Sequence, residues 1–159
     1  MKGNKLVVSV LNEVLTSELT SINQYFLHAR MYKNWGIKAL DARCYKKSIK
    51  DMKQSDALIE RILFLQGLPN LQMLGKLYIG EHCSEMLQCD MDFQMAQIPL
   101  LKKAIALAEN HQDYVTRDLL EDILEYEEDH VDWLETQQYQ ITSMGIENYL
   151  QAQVTQGDD

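Results

Sequence analysis

The sequence predicts an all-α fold: a bundle of four long helices with a long crossover and a short fifth helix near the C-terminus. Apolar residues make up 46% of the 159 positions, against only two prolines and seven glycines. Apolar side chains recur every three or four residues in four separate segments, which is the spacing of helices packed in a bundle. One connection between the segments is long and the others are short, which is typical of a single bundle domain, residues 1–159.

The four segments place helices near residues 4–34, 38–65, 83–110 and 113–143. Breaks at Asn34–Gly36, Gly67–Pro69 and Gly145 support these limits, and Pro99 is expected to kink the third helix. The predicted buried rows, in helix order, are Leu11, Leu15, Glu18, Ile22 and Tyr25; Cys44, Lys47, Asp51, Gln54 and Leu58; Leu87, Met91, Gln94, Ile98 and Leu101; and Leu120, Ile123, Glu127, His130 and Leu134.

The connections predict the topology. "NWGIK" and "ENHQD" are short, so they join antiparallel neighbours. "QGLPNLQMLGKLYIGEH" has about 16 residues and can extend over roughly 50 Å, while a helix of about 27 residues is roughly 40 Å long. This crossover can therefore run back along the bundle and make the second and third helices parallel. Its leucines are expected to pack against a neighbouring surface, and "IENYLQAQV" predicts the short fifth helix.

Charge and composition exclude several classes of protein. A net charge of -9 argues against nucleic acid and against an anionic membrane surface as partners. No apolar run approaches transmembrane length, and "MKGNKLVVSVLNEVL" lacks the pattern of a signal peptide. The three cysteines have no C-x-x-C spacing and are interpreted as free thiols. We therefore expect a protein of the cytoplasm that does not bind membranes.

Each predicted row is interrupted near its middle by polar residues. Any one of them could find a hydrogen bond or face solvent, but four interruptions at matching depth indicate a site. In "EEDH", a glutamate and a histidine three residues apart share a helix face, as in the Glu-x-x-His motif of di-iron carboxylate bundles. The predicted metal ligands are Glu18, Asp51, Glu127 and His130, beside Gln54 and Gln94.

Several longer segments carry a family resemblance: "INQYFLHARM", "NWG", "IERILFL", "GLPNLQ", "LGKL", "IGE", "DYVTRDLLEDIL", "HVDWLET", "MG" and "NYLQAQ". Through them nearly the whole chain resembles the bacterioferritins, the haem-containing bacterial branch of the ferritins. The resemblance implies a ferritin-like four-helix bundle that self-associates into a twenty-four-subunit shell and stores ferric mineral. It also implies one haem b per two subunits, held by a methionine from each, and a bacterioferritin-associated ferredoxin as electron donor.

By the same resemblance, Met52 is the haem-binding residue, although a helical methionine is more often a core residue that fills gaps. Successive helical residues are turned by about 100°, so Met52 points away from the row of Asp51. The family's haem-pocket surroundings are matched at Leu19, Ile22, Asn23, Phe26 and Tyr45.

The chain departs from the family's intact iron-oxidising centre at three positions. The family has glutamate where this chain has Asp51 and Gln94, and histidine where it has Gln54. A neutral amide is a poor substitute for a carboxylate around a hard cation. Four lysines on the same helix weaken a cation site or form a solvated face: Lys46, Lys47, Lys50 and Lys53.

The resulting hypothesis is an iron-storage subunit that binds haem for electron transfer and iron release and whose own oxidation centre is inactive, with no catalytic residues. The shell would be mixed with a second subunit type that does oxidise iron. An alternative is slow iron oxidation at the remnant site formed by Glu18, Asp51, Glu127 and His130. A third interpretation is a plain helical bundle used for protein contacts.

Overall fold

The computed structural model describes residues 1–155, and the helices in that range confirm the predicted fold class. The helices are α1 (Lys5–Asn34), α2 (Lys38–Phe64), α3 (Cys83–Asn110), α4 (Tyr114–Met144) and the short α5 (Ile146–Ala152). The four long helices agree with the prediction to within one residue at every end. The last positions of the predicted domain, 156–159, lie outside the described residues.

Local sequence signals account for the helix ends. The Asn4 side chain accepts hydrogen bonds from the backbone N–H groups at the start of α1, and Asp113 does the same for α4. Gly36 and Gly145 have φ values of 75° and 82° at chain reversals, where a side chain would be strained. Pro99 lies inside α3, which remains helical on both sides of it.

Hydrogen bonds between helices show that adjacent helices are antiparallel. In each adjacent pair, contacts move to lower residue numbers in one helix as they move to higher numbers in the other. Examples are Glu18–Gln97 and His28–Asp90 between α1 and α3, and Lys47–Glu127 and Arg61–Asp113 between α2 and α4. Phe26 packs on Tyr45 while Ser21 bonds Asp51, so α1 and α2 are antiparallel too. Both α2 and α3 oppose α1, and they are therefore parallel, as the crossover length predicted.

The crossover between α2 and α3 is fastened to α1 through its backbone. Its N–H groups donate to side chains spaced along α1: Asn70 to Asn12 (2.8 Å), Gly75 to Thr20 (2.7 Å), Tyr78 to Gln24 (3.1 Å) and Gly80 to His28 (3.2 Å). The expectation that its leucines pack against a neighbouring surface is not met within the single chain. Leu68, Leu71 and Leu74 are 83%, 55% and 53% exposed.

Two hydrophobic clusters fill the bundle. One contains Val7 to Leu15 of α1 with Leu58, Ile62, Leu101 and Leu120, and the other contains Tyr25 to Tyr32 with Leu40, Met86, Leu134 and Tyr149. Buried polar side chains lie between them, and we call this set the polar layer: Glu18, Asp51, Gln94, Gln97, Glu127 and His130. Within the described residues, no helix is both long and apolar enough to cross a membrane.

Candidate metal centre

Three carboxylates meet in the polar layer. Glu18 of α1, Asp51 of α2 and Glu127 of α4 are each fully buried, and one oxygen from each lies within 4.8 Å of the others. The predicted rows thus converge, because each of these residues faces the bundle axis at the same depth. Such a group of buried anions is costly unless cations or protons compensate it.

Lys47 supplies a cation inside this group. Its Nζ lies 2.5 Å from Asp51 Oδ1 and 2.8 Å from Glu127 Oε1, and the lysine is completely buried. A spacing of four residues on α2 brings Lys47 and Asp51 together, while Glu127 reaches the ammonium from α4. The rings of Tyr25 and Tyr126 lie 4.8 Å and 5.4 Å from Nζ and add cation–π contacts.

The other three lysines of the predicted group behave differently. Lys46, Lys50 and Lys53 are exposed, as a solvated helix face would be. Lys47 alone of the four belongs to the buried row, and its role as an ion-pair partner was missed in the sequence. Its position between Cys44 and Asp51 in that row was a signal that could have indicated burial.

Burial and mutual repulsion shift the protonation of the carboxylates. Desolvation raises the pKa of Asp51 to about 7, against the opposing effect of Lys47. Desolvation also raises the pKa of Glu18 well above its ordinary value, with Asp51 and Glu127 adding to the shift. Burial alone would lower the pKa of Lys47, but the facing carboxylates outweigh it and raise that pKa. Burial and the neighbouring carboxylates therefore favour the protonated form of Glu18, and the same carboxylates favour the charged form of Lys47.

Amide side chains of α3 complete the layer. Gln97 Nε2 donates to Glu18 Oε1 over 2.7 Å, and Gln94 Nε2 donates to Glu127 Oε1 over 3.2 Å. The second oxygen of Glu18 has no hydrogen-bond partner within the described residues. Gln97 was also missed in the sequence, although its spacing of three from Gln94 puts both on one face.

His130 does not join the carboxylates. Its Nδ1 faces the Arg43 guanidinium at 3.4 Å, which can only donate, so Nδ1 accepts. Its Nε2 then carries the proton and donates to the Tyr25 hydroxyl at 3.0 Å, and that hydroxyl donates to Gln94 Oε1 at 3.1 Å. Burial, with Lys47 and Arg43 nearby, lowers the pKa of His130 well below its ordinary value. Both ring nitrogens are engaged with protein groups.

Gln54 is buried but isolated. It is 6% exposed, and neither atom of its amide has a hydrogen-bond partner within residues 1–155. It lines a small cavity of about 170 Å³ with Lys50, Lys53 and Asp122 at the α2–α4 surface. An unpaired buried amide is destabilising, so packing gives no reason for a glutamine here.

These residues do not fit a pair of divalent cations. A hard cation needs anionic oxygens at roughly 2.0 to 2.6 Å, and the oxygens of Asp51 and Glu127 already bind an ammonium at hydrogen-bond distance. Gln54 and Gln94 offer no charge, and the lone pair of His130 Nδ1 points at a guanidinium.

The opposite side of α2 carries an exposed aromatic surface. Met52 and Tyr45 of α2 are 53% and 40% exposed, and Phe26 of α1, whose ring centroid lies 6.4 Å from that of Tyr45, is 45% exposed. The Arg30 guanidinium lies 4.9 Å from the Phe26 ring and 5.2 Å from the Tyr45 ring. Of the other predicted pocket residues, Leu19 and Ile22 are partly buried and Asn23 is exposed. Asp51 and Met52 are thus adjacent in sequence but lie on inner and outer faces of one helix.

Comparison with known proteins gives consistent matches over the chain. Residues 8–144 match the ferritin-like domain. A "Bacterial ferritin" of Synechocystis sp. is 42% identical, covering 98% of this chain and 100% of that protein. A "Bacterioferritin" of Mycolicibacterium paratuberculosis is 43% identical over 94% of both chains. A "Bacterial ferritin" of Pseudomonas aeruginosa is 41% identical over 97% of this chain and 100% of its own length.

Proposed function

This chain belongs to the bacterioferritin family of iron-storage proteins, and we propose on that premise that it is a haem-binding shell subunit whose own iron-oxidising centre is inactive. The observation that carries the proposal is the division of α2 into two faces. Met52 and Tyr45 are exposed on the outer face, and Asp51 and Gln54 of the altered ligand set are buried on the inner face.

Several features support assembly with other subunits. Ferritin-family proteins form multimeric shells, and we propose the twenty-four-subunit shell for this one. Contiguous exposed apolar surface marks a contact region in a soluble protein. Leu68, Leu71 and Leu74 of the crossover are largely exposed, and Phe64, at the end of α2, is 52% exposed.

The outer face of α2 fits a haem shared across a two-fold axis. Two copies of α2 related by such an axis bring two Met52 thioethers together from opposite sides. Thioether sulfur is a soft, neutral ligand suited to haem iron, and the haem would supply electron transfer for reductive release of stored iron. Electrons would come from a small ferredoxin, and the protein would work in the cytoplasm.

Loss of ligand charge supports inactivity of the inner site. Gln54 and Gln94 replace an imidazole and a carboxylate of the family's centre, and the Gln94 amide donates a hydrogen bond to Glu127. Entry and oxidation of iron would then depend on a second, competent subunit type in a mixed shell.

A second candidate function rests on a specific observation. Glu18, Asp51 and Glu127 still place one oxygen each within 4.8 Å of one another. Such a remnant could bind a single Fe²⁺ and oxidise it slowly, if the cation displaced Lys47.

Rapid mixing of Fe²⁺ with oxygenated homopolymer tests the proposal. We expect oxidation little faster than in buffer, together with the absorption of a six-coordinate haem at one per two chains. A fast phase that consumes two Fe²⁺ per chain would refute the inactive centre. A slow saturable phase, abolished by Glu127→Gln, would favour the second candidate. Protein reconstituted with haem that retains none would refute the haem assignment.

A further inference from the structure

We propose that the side chain of Lys47 is a built-in counter-cation of the buried carboxylates, which holds the position a divalent metal would need and closes the cluster to metal. The inference deepens the inactive centre proposed above and rests on it. According to this inference, one residue of this chain, Lys47, keeps a divalent metal out of the cluster, in addition to the effect of the missing ligands.

Competition for the same atoms is the first support. The Lys47 ammonium binds Oδ1 of Asp51 at 2.5 Å and both oxygens of Glu127, at 2.8 Å and 3.3 Å. A divalent cation between α2 and α4 would need those same oxygens at about 2.0 to 2.6 Å. Two cations at contact distance in a buried site repel strongly, so the ammonium and the metal exclude each other.

The position of Lys47 is fixed from several directions. Asp51 comes from the next turn of α2, Glu127 from α4, and the rings of Tyr25 and Tyr126 contact the ammonium from α1 and α4. Lys50 lies over the same Tyr126 ring, with its Nζ 5.2 Å from the centroid, but the lysine itself is exposed. Lys47 is fully buried and therefore cannot extend its amine to water as most lysines do.

The rest of the layer suits an ammonium better than a metal. Ser21 donates to the remaining oxygen of Asp51, and Gln94 donates to Glu127. These donors occupy lone pairs that a metal would otherwise use. Removing Lys47 would leave buried carboxylates without a cation, which is strongly destabilising, and would open the cluster to a cation from solution.

The experiment uses haem-free assembled protein and Co²⁺ as the probe, followed by its absorption and by the melting temperature. The test variant is Lys47→Met, which keeps the length of the side chain and removes its charge. The matched control is Lys50→Met, which removes a neighbouring exposed lysine. We expect Lys47→Met to melt lower than the native chain without metal and to bind Co²⁺ roughly tenfold or more tightly. Saturating Co²⁺ should then raise its melting temperature, while the native chain and the control show little change.

Opposite results overturn the inference. A Co²⁺ site of equal affinity in the native chain and in Lys47→Met would show that the ammonium excludes nothing. If Lys47→Met does not fold without metal, refolding is repeated with Zn²⁺: recovery of soluble shells supports the inference, and no recovery refutes it. The Co²⁺ experiment does not itself measure iron oxidation, so its result can be compared with the separate measurement of iron oxidation. A native Co²⁺ site with slow iron oxidation overturns only the role of Lys47, and fast iron oxidation overturns the inactive centre.

Discussion

Lys47 of α2 and Glu127 of α4 form a completely buried ion pair, with 2.8 Å between Nζ and Oε1. The pair lies within the group of buried carboxylates in the middle of the bundle. We expect this pair to couple the stabilities of the two helices. Breaking a buried pair by removing one partner costs about 3–5 kcal/mol, because the other charge is left uncompensated.

The first prediction is a coupling energy. Lys47→Met and Glu127→Gln should each lower the free energy of unfolding, and the double variant should lose at least about 1 kcal/mol less than the sum. Urea unfolding at a fixed subunit concentration measures it, since assembly contributes to stability. Additive losses would show that the two side chains do not stabilise each other.

The second prediction concerns pH and Glu18. Burial raises the pKa of Glu18 well above its ordinary value, so the folded state keeps a proton that the unfolded state releases. Between those two pKa values the folded state binds more protons, and stability therefore falls as pH rises. Glu18→Gln mimics the neutral acid and removes this loss.

The stability of Glu18→Gln relative to the native chain should accordingly be higher at about pH 8 than at about pH 5. Thermal melts across that range measure it, with Glu128→Gln as the control because Glu128 is exposed. If the stabilities of Glu18→Gln and Glu128→Gln changed with pH in the same way, the Glu18 carboxyl would be ionised in the folded state.

The third prediction separates the two faces of α2. Met52→Leu should preserve the fold and shell, because the volume is similar, but should abolish haem binding and slow reductive iron release. The control is Met95→Leu, since Met95 of α3 is also exposed, at 48%. Absorption spectra after haem reconstitution measure the effect. An unchanged haem spectrum in Met52→Leu would refute the assignment.

The fourth prediction concerns recovery of iron oxidation. Asp51→Glu, Gln54→His and Gln94→Glu together restore the family's ligand types, but we expect little activity while Lys47 remains. Adding Lys47→Met to the triple variant should raise the initial rate of Fe²⁺ oxidation by roughly tenfold or more, equivalent to at least about 1.4 kcal/mol. Equal rates for the triple and quadruple variants would show that the missing ligands alone cause the loss.

The helices were predictable because periodicity and end signals are local properties of the chain. Apolar spacing and breaks such as Gly145 placed every end of the long helices within one residue. The convergence of Glu18, Asp51 and Glu127 was also predictable, because each interrupts an apolar row at matching depth.

The partners of the polar residues were not predictable in the same way, because they come from other helices. Lysine side chains are usually exposed, and the burial of Lys47 depends in part on Glu127, which approaches from α4. The spacing of Glu127 and His130 predicts a shared metal and stays a prediction, but it did not indicate the bonds of His130 to Tyr25 of α1 and Arg43 of α2. The crossover leucines are exposed in the single chain, and sequence alone does not show which surface covers them.

The polar layer also fixes the register of the four helices relative to one another. Sliding one helix by a turn would set a carboxylate against leucines of either cluster and leave its partners unpaired, which is costly at every member of the layer. Replacing Asp51 or Glu127 alone with leucine would leave the buried Lys47 ammonium with one carboxylate fewer, which is strongly destabilising. In the inactive centre proposed above, the Lys47 ammonium takes the place of a metal cation between Asp51 and Glu127 and so keeps the register of the helices.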